Sequence, residues 1–164
     1  MIVRETLWDD PAASALRQAR RAELAERYGT ADCEPGQEPT ACDITVFFVA
    51  FSDGGEPVGC GGLRELNPTK GEIKSMFVVP SSRGSGISTN LLETLEHFAL
   101  DRRWSRLVLE TGNQQPDAIR FYQRQGYCRI PNFGCYASSD LSLCFEKILT
   151  ENDPAAEVDC EGCQ

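Results

Sequence analysis

The chain has 164 residues, 41% of them hydrophobic and 25% charged, which fits one globular domain with a single core and is too short for two. A formal net charge of -9 repels polyanions at long range, so no nucleic-acid partner is expected, although a local basic pocket for one small anion is compatible with it. No apolar run approaches the roughly 20 residues that cross a bilayer, and the first residues lack the layout of a secretion signal, so we expect no membrane partner and a cytoplasmic location.

Ile2 to Leu7 alternates as a short strand does, and Asp9-Asp10-Pro11 then opens a helix, with proline where the first turn needs no amide donor. That helix, over about 11–28, carries Ala12, Leu16, Ala19, Leu24 and Tyr28 as its apolar positions. Between them Arg17, Arg20, Arg21 and Arg27 alternate with Glu23 and Glu26, and this charge pattern reads as a solvated face. A Gly-, Pro-, Glu- and Thr-rich loop from Gly29 to Cys42 is expected to be mobile or to form a flap over a substrate. Ile44 to Phe51 and Pro57 to Leu66 read as a hairpin about Gly54-Gly55, and Asn67 to Gly71 turns the chain into a third strand, Glu72 to Val79.

After that strand comes Pro80-Ser81-Ser82-Arg83-Gly84-Ser85-Gly86-Ile87-Ser88, a glycine-bearing turn that leads into a helix over about 86–103. Leu91, Leu92, Leu95, Phe98 and Ala99 form the core stripe of this helix, and His97 lies off it. Small residues let the backbone approach an anion, and the first free amides of the helix point at whatever the turn holds. The segment therefore reads as a phosphate cradle, with a plain strand-to-helix turn as the alternative. Arg106 to Thr111 is a strand, Gln114 to Gln125 a short helix closed by Gly126, and Tyr127 to Ile130 with Leu141 to Lys147 are the last two strands. Residues 1–149 form the domain, and 150–164 read as an acidic, disordered tail.

Eight cysteines are scattered along the chain, and only Cys160 and Cys163 have ligand-like spacing, with no second pair at zinc-site separation. No metal is expected. Cys60, Cys128 and Cys144 lie in apolar, strand-like surroundings and read as small core or near-core residues rather than disulfide partners. The order of elements describes an α/β fold, in the α+β sense of a mixed sheet of about seven strands with helices on both faces. A parallel pair is expected where the cradle helix crosses over between strands, and a ligand site where strand ends diverge.

The segment Val78-x-Pro80-x-x-Arg83-Gly84-x-Gly86-Ile87, led by Glu72-Ile73 and followed by Leu91-Leu92, resembles the acetyl-CoA-binding motif of the GNAT N-acetyltransferase superfamily. Asn113, followed by Ala118-Ile119-Arg120-Phe121-Tyr122-x-x-x-Gly126-Tyr127, is similar to the closing motif of the same superfamily. Together they cover about residues 2 to 148. The resemblance implies the acyl-CoA N-acyltransferase fold and acetyl transfer from acetyl-CoA to an amine by direct attack in a ternary complex.

By position, the backbone of Arg83, Gly84, Ser85, Gly86, Ile87 and Ser88 would hold the diphosphate of the cofactor, with Arg83 adding a side-chain charge. The edge of Met76, Phe77 and Val78 would pair with the pantetheine arm, and the Met76 amide would polarise the thioester carbonyl. Asn113 would hydrogen-bond the arm, and Tyr122 would protonate the leaving thiolate. Glu72 stands where several relatives carry the catalytic glutamate, Glu110 is a second candidate base, and a base acting through water is a third possibility; Glu72 read alone could equally pair with Lys74 or Lys70. Ser88, where the motif usually has Gly or Ala, is still small, and Thr89 and Asn90 remove one phosphate contact that relatives often make.

For the acceptor, a small-molecule amine or an amino acid is expected over a protein tail, with Phe133 and Tyr136 as walls and Arg64 or Arg129 as carboxylate receivers. A homodimer is compatible with this reading. A non-catalytic acyl-CoA-binding domain and a cysteine-centred metal or redox module are the alternatives.

Overall fold

The run Val46-Phe47-Phe48-Val49-Ala50-Phe51 is buried on both sides and locates the core. Phe47 and Val49 pack with Trp8, Ala13 and Leu16, whereas Val46 and Ala50 face Leu91, Leu92 and Leu95. A central strand with cover on both faces reads as a continuous apolar stretch for this reason. The computed structural model describes residues 1–30 and 34–150. Its elements are β1 (Ile2–Glu5), α1 (Pro11–Tyr28), β2 (Val46–Phe51), β3 (Pro57–Asn67), β4 (Lys70–Val78), α2 (Ile87–Asp101), β5 (Arg106–Gly112), α3 (Pro116–Arg124), β6 (Cys128–Ile130) and β7 (Ser142–Ile148), with 3-10 turns at Pro80–Ser82 and Gly134–Tyr136.

The strands form one sheet in the order β1-β2-β3-β4-β5-β7-β6. Among the described residues only β4 and β5 pair in parallel. α1 covers one face and α2 with α3 the other, so the expected mixed sheet with helices on both faces is what forms. β7 inserts between β5 and β6, because its seven residues match β5 along its whole length from Arg106↔Ile148 to Gly112↔Ser142. The chain is anchored as far as Leu149, which is buried and whose amide donates to the Ser105 carbonyl at 2.8 Å. The rest of the expected acidic tail, 151–164, lies outside the described residues, as do Cys33, Cys160 and Cys163.

Two expectations need correction. On α1 the buried positions are Ala13, Leu16 and Leu24 rather than Ala12 and Ala19, and Arg17, Arg20 and Arg21 are half-buried rather than solvated. The inward stripe is rotated towards the arginines because part of this helix lies over a polar opening in the sheet, described below. Cys60 and Cys144 are buried free thiols, as expected, whereas Cys128, half-buried on the edge strand β6, is disulfide-bonded.

That opening follows from the strand register. β4 and β5 pair only from Lys70↔Arg106 to Ile73↔Leu109, after which β4 continues to Val78 and β5 to Gly112 with their facing edges unpaired. β4 also bulges away from β3. Between Cys60↔Phe77 and Gly62↔Lys74, β4 spends one more residue than β3, and Ser75 takes a left-handed φ of 57°. The extra residue shifts the alternation, so that Ile73 and Val78 pack towards α2 although they are an odd number of positions apart. The Cys60 thiol, pushed up to about 12 by burial and so held protonated, donates to the Ser75 carbonyl at 3.3 Å and ties the bulge to β3. Gly61 gives Met76 its place, since a β-carbon there would collide with the Met76 sulfur.

Candidate active site

A cavity of about 590 Å³ opens where β4 and β5 part, between α1 on one side and the start of α2 with α3 on the other. Met76, Phe77 and Val78 of β4 line it, as do Arg83, Gly84, Gly86, Ile87 and Ser88 of the turn into α2, and Tyr122 of α3. Nine of the sequence-predicted residues thus share one cavity. Ser85 does not line it; its hydroxyl donates to the Ser82 carbonyl at 2.5 Å and braces the turn. Asn113 is also outside the wall, exposed, with its amide donating to the Leu141 carbonyl at 2.8 Å and its side-chain nitrogen near the Asp140 carbonyl at 3.4 Å.

The turn is built to receive an anion. Gly84 and Gly86 have φ of 77° and 83°, values an L side chain rarely adopts, and both face open space. Gly86 is the N-cap of α2 and offers no capping side chain, and the first helical amide to find an acceptor is Asn90, bonded to the Gly86 carbonyl at 3.0 Å. The amides of Ile87, Ser88 and Thr89 are therefore left to whatever enters the cavity, at the positive end of the helix. Around them stand five arginines (Arg20, Arg27, Arg83, Arg120 and Arg124) against two carboxylates, Glu23 and Asp117. In a chain of net charge -9 this is a local reversal of field, fitted to a ligand with several phosphates. Arg83 is already engaged, donating to the Val78 carbonyl at 2.9 Å and to Glu23 at 2.7 Å.

Tyr122 stands at the inner end of the cavity. It is buried against Phe121 and Tyr127, with ring centroids at 5.2 and 5.6 Å, and burial pushes its phenol well above the ordinary value, so it carries its proton at neutral pH. Tyr122, Met76 and Arg20 also border a second, narrower space of about 60 Å³. This space shares Arg20, Glu34, Ile73, Ser75 and Glu110 with a third, of about 40 Å³, which reaches Trp8, Arg17, Arg21, Glu38 and Lys74. Glu110, on β5 past the last pairing with β4, borders both narrow spaces. Burial raises the pKa of Glu110 and the nearby Glu34 carboxylate adds to this, opposed by a hydrogen bond from Ser142 and by the charges of Lys74 and Arg20.

Glu72 is placed differently. It has no exposed surface, Arg64 is bonded to one of its oxygens, the Tyr136 hydroxyl donates to the other at 2.9 Å, and Lys74 lies 3.9 Å away. Arg64 is thus committed to Glu72 rather than left for an acceptor carboxylate, and Arg129 lies outside all three spaces, over the Phe145 ring. Tyr136 is buried in the same network, and Phe133 packs edge-on against it at 5.3 Å. His97 is exposed, with its Nδ1 2.8 Å from the Glu93 carbonyl oxygen. Among the described residues no group of three or more His, Cys, Asp or Glu is arranged to hold a metal ion.

Sequence reasoning missed the contribution of α1. Arg20 holds Glu34, with Nη1 to Oε2 at 3.1 Å, and Arg21 holds Glu38, so the two ion pairs bring the loop after α1 into the wall of the inner space. Arg17 and Arg20, one helical turn apart, sit on the same side as the buried Ala13 and Leu24, and that i, i+3, i+4 spacing was the signal available in the sequence.

The comparisons with known proteins agree with this geometry. The acetyltransferase (GNAT) family matches residues 8–127. An IAA acetyltransferase of Azospirillum brasilense is 40% identical over 149 residues, covering 90% of this chain and 97% of its own. A solved structure from Klebsiella pneumoniae, described as an acyl-CoA N-acyltransferase, is 30% identical, with a TM-score of 0.78 over 91% of this chain and 97% of that one. A GNAT family acetyltransferase from Elizabethkingia anophelis, solved with acetyl-CoA bound, shares the fold at 18% identity, with a TM-score of 0.66 over 90% of this chain and 97% of that one. With the family match spanning most of the chain and the first relative covered almost end to end, this protein belongs to the GNAT acetyltransferase family and is an acyltransferase.

Proposed function

We propose that the protein transfers an acetyl group from acetyl-CoA to the primary amine of a small molecule or amino acid, by direct attack while both are bound. The observation that carries this reading is the junction at Tyr122, Met76 and Arg20, where the large arginine-lined cavity meets the narrow space that holds Glu110. The arginines, the free amides of α2 and the size of the cavity fit acetyl-CoA, which supplies the activated acyl group when bound. The unpaired edge of β4 beyond Ile73 suits the amides of its pantetheine arm, much as a strand adds to a sheet edge.

Each chemical step then falls to a residue of this chain. Glu110, its pKa raised by burial, takes a proton from the incoming ammonium. The amide of Met76, beside the bulge at Ser75, donates to the carbonyl oxygen as negative charge gathers on it, an interaction commonly worth about 3 kcal/mol in the transition state. Tyr122, where the two spaces meet, gives its phenolic proton to the departing thiolate. Glu72 holds Arg64, Tyr136 and Lys74 in place and so shapes the acceptor side without meeting the acceptor. Narrow acceptor-side spaces of about 40 and 60 Å³ favour a small acceptor over a protein tail.

The test is an acceptor screen with purified protein and acetyl-CoA, following free thiol across amines, amino acids and peptides, with calorimetry for acetyl-CoA itself. We expect acetyl-CoA to bind and small amines to be acetylated ahead of peptides. Failure of acetyl-CoA to bind would overturn the reading.

A further inference from the structure

We propose that the acceptor carries a carboxylate beside its amine, as an amino acid does, and that Arg17 receives that carboxylate. The inference rests on the acetyl-transfer reading above and names the substrate class of its acceptor side. Four cations border the space of about 40 Å³: Arg17, Arg20, Arg21 and Lys74. Three have anionic or strongly polar partners in place, Arg20 with Glu34, Arg21 with Glu38, and Lys74 with the Tyr136 hydroxyl at 2.8 Å and Glu72 at 3.9 Å.

Among the described residues, Arg17 alone of the four makes its hydrogen bonds only to neutral groups. One of its terminal nitrogens donates to the Trp8 carbonyl at 2.8 Å and to the Ser14 hydroxyl at 3.2 Å, and its guanidinium lies over the Trp8 ring at 3.7 Å. Its Nε is buried and has no hydrogen-bond partner among the described residues. A buried donor left unmatched is costly, so this guanidinium is short of a hydrogen-bond partner, as is the Nε of Arg64, and Arg17 differs in also bordering the open space. Burial, and then the charge of Arg21, hold the Arg17 pKa below its ordinary value, and Cys60 and Asp9 oppose this only in part. A carboxylate set against this guanidinium supplies the missing counter-charge, and arginine's planar fork matches carboxylate geometry.

The rest of the space fits the other half of such a ligand. Glu34 and Glu38 are neutralised by Arg20 and Arg21, which leaves Glu110 as the carboxylate free to face an ammonium. The space is thus polarised, cationic where α1 meets Trp8 and anionic at β5, towards Tyr122 and the cofactor cavity. A zwitterion lies along it with its carboxylate at Arg17 and its amine towards the reacting carbonyl. The carboxylate receivers expected from sequence, Arg64 and Arg129, are both unsuited to this task by their placement.

The experiment compares amino acids with their own carboxamides as acceptors, using the full-length protein and saturating acetyl-CoA. Wild type should prefer each accepted acid over its amide by roughly tenfold to a hundredfold in kcat/KM, the scale of a lost charge-assisted hydrogen bond in a built site. In Arg17→Gln that ratio should collapse to near one, chiefly through KM for the acid, and Arg17→Lys should restore part of it. Calorimetry with acetyl-CoA reports whether each variant is folded, independently of the acceptor. Equal rates on acids and amides in wild type, or an unchanged ratio in Arg17→Gln, would overturn this proposal and leave acetyl transfer standing. Acetylation of other small amines but of neither acids nor carboxamides would likewise overturn this proposal alone, whereas failure of acetyl-CoA to bind would overturn both.

Discussion

The Tyr136 hydroxyl crosses from the connection between β6 and β7 to donate to Glu72 at 2.9 Å, joining residues 64 positions apart. With Arg64 on the other oxygen, Glu72 is the centre of a buried ionic network. Removing one member of such a network strands the others, at a cost on the order of 3 kcal/mol. Glu72→Gln should therefore lower the midpoint of thermal or denaturant unfolding markedly, while the folded fraction keeps most of its acetyl-transfer rate. A rate loss of a hundredfold with unchanged stability would instead make Glu72 the base.

Glu110→Gln should show the opposite signature. Loss of a general base costs roughly 10²- to 10⁴-fold in kcat. Because Glu110 must be ionised to accept a proton and burial raises its pKa, wild-type kcat/KM should fall as pH drops through a value above the ordinary carboxylate range, and the variant should lack that limb. Stability follows the reverse sign. A group whose pKa is raised on folding favours the fold when protonated, at low pH, and that contribution disappears as pH rises through the folded-state value. Glu110→Gln should thus melt above wild type in alkaline buffer, with the gap closing in acid, as scanning calorimetry across pH would show.

Tyr122→Phe keeps the ring that packs on Phe121 and Tyr127 and removes only the phenolic proton. Turnover should drop by roughly 10²-fold or more, with little change in acetyl-CoA affinity. Unchanged turnover would remove Tyr122 from the chemistry.

Much of the fold was legible because local signals agree with the tertiary outcome. Pro11 at the helix start and Gly29 in a left-handed conformation at its end bracket α1, and the unbroken apolar run from Val46 to Phe51 marks a strand buried on both sides. The cradle was legible because glycine freedom and free helix amides are both local properties. The bulge at Ser75 was not, since it exists only in the register between β3 and β4. The burial of Glu72 depends on Tyr136, far along the chain, and a carboxylate at a strand end reads the same in sequence whether it is buried or solvated. Arg17 and Arg20 read as solvent-facing in the sequence, where apolar periodicity is the usual guide to a helix's inner face. Where α1 passes over a parted pair of strands, the inner face is polar.

The ion pair between Arg83 and Glu23 gives a last test, one that concerns the cofactor cavity. Glu23, on α1, places a negative charge in the wall of an otherwise basic cavity, and its hydrogen bond from Arg83 holds its own carboxyl below the usual range, so it stays ionised at neutral pH. A phosphate that draws on Arg83 must compete with this carboxylate. Both partners are partly exposed, at 43% for Arg83 and 29% for Glu23, so solvent screens the pair and its worth is small. Glu23→Gln should therefore tighten acetyl-CoA binding by only about two- to fivefold. The gain should shrink as salt is raised, because exposed charges are screened over about 10 Å at 0.1 M ionic strength. Calorimetric titrations at low and high salt would read both effects, and weaker binding in the variant would mean that Glu23 orients Arg83 for the ligand instead of competing with it.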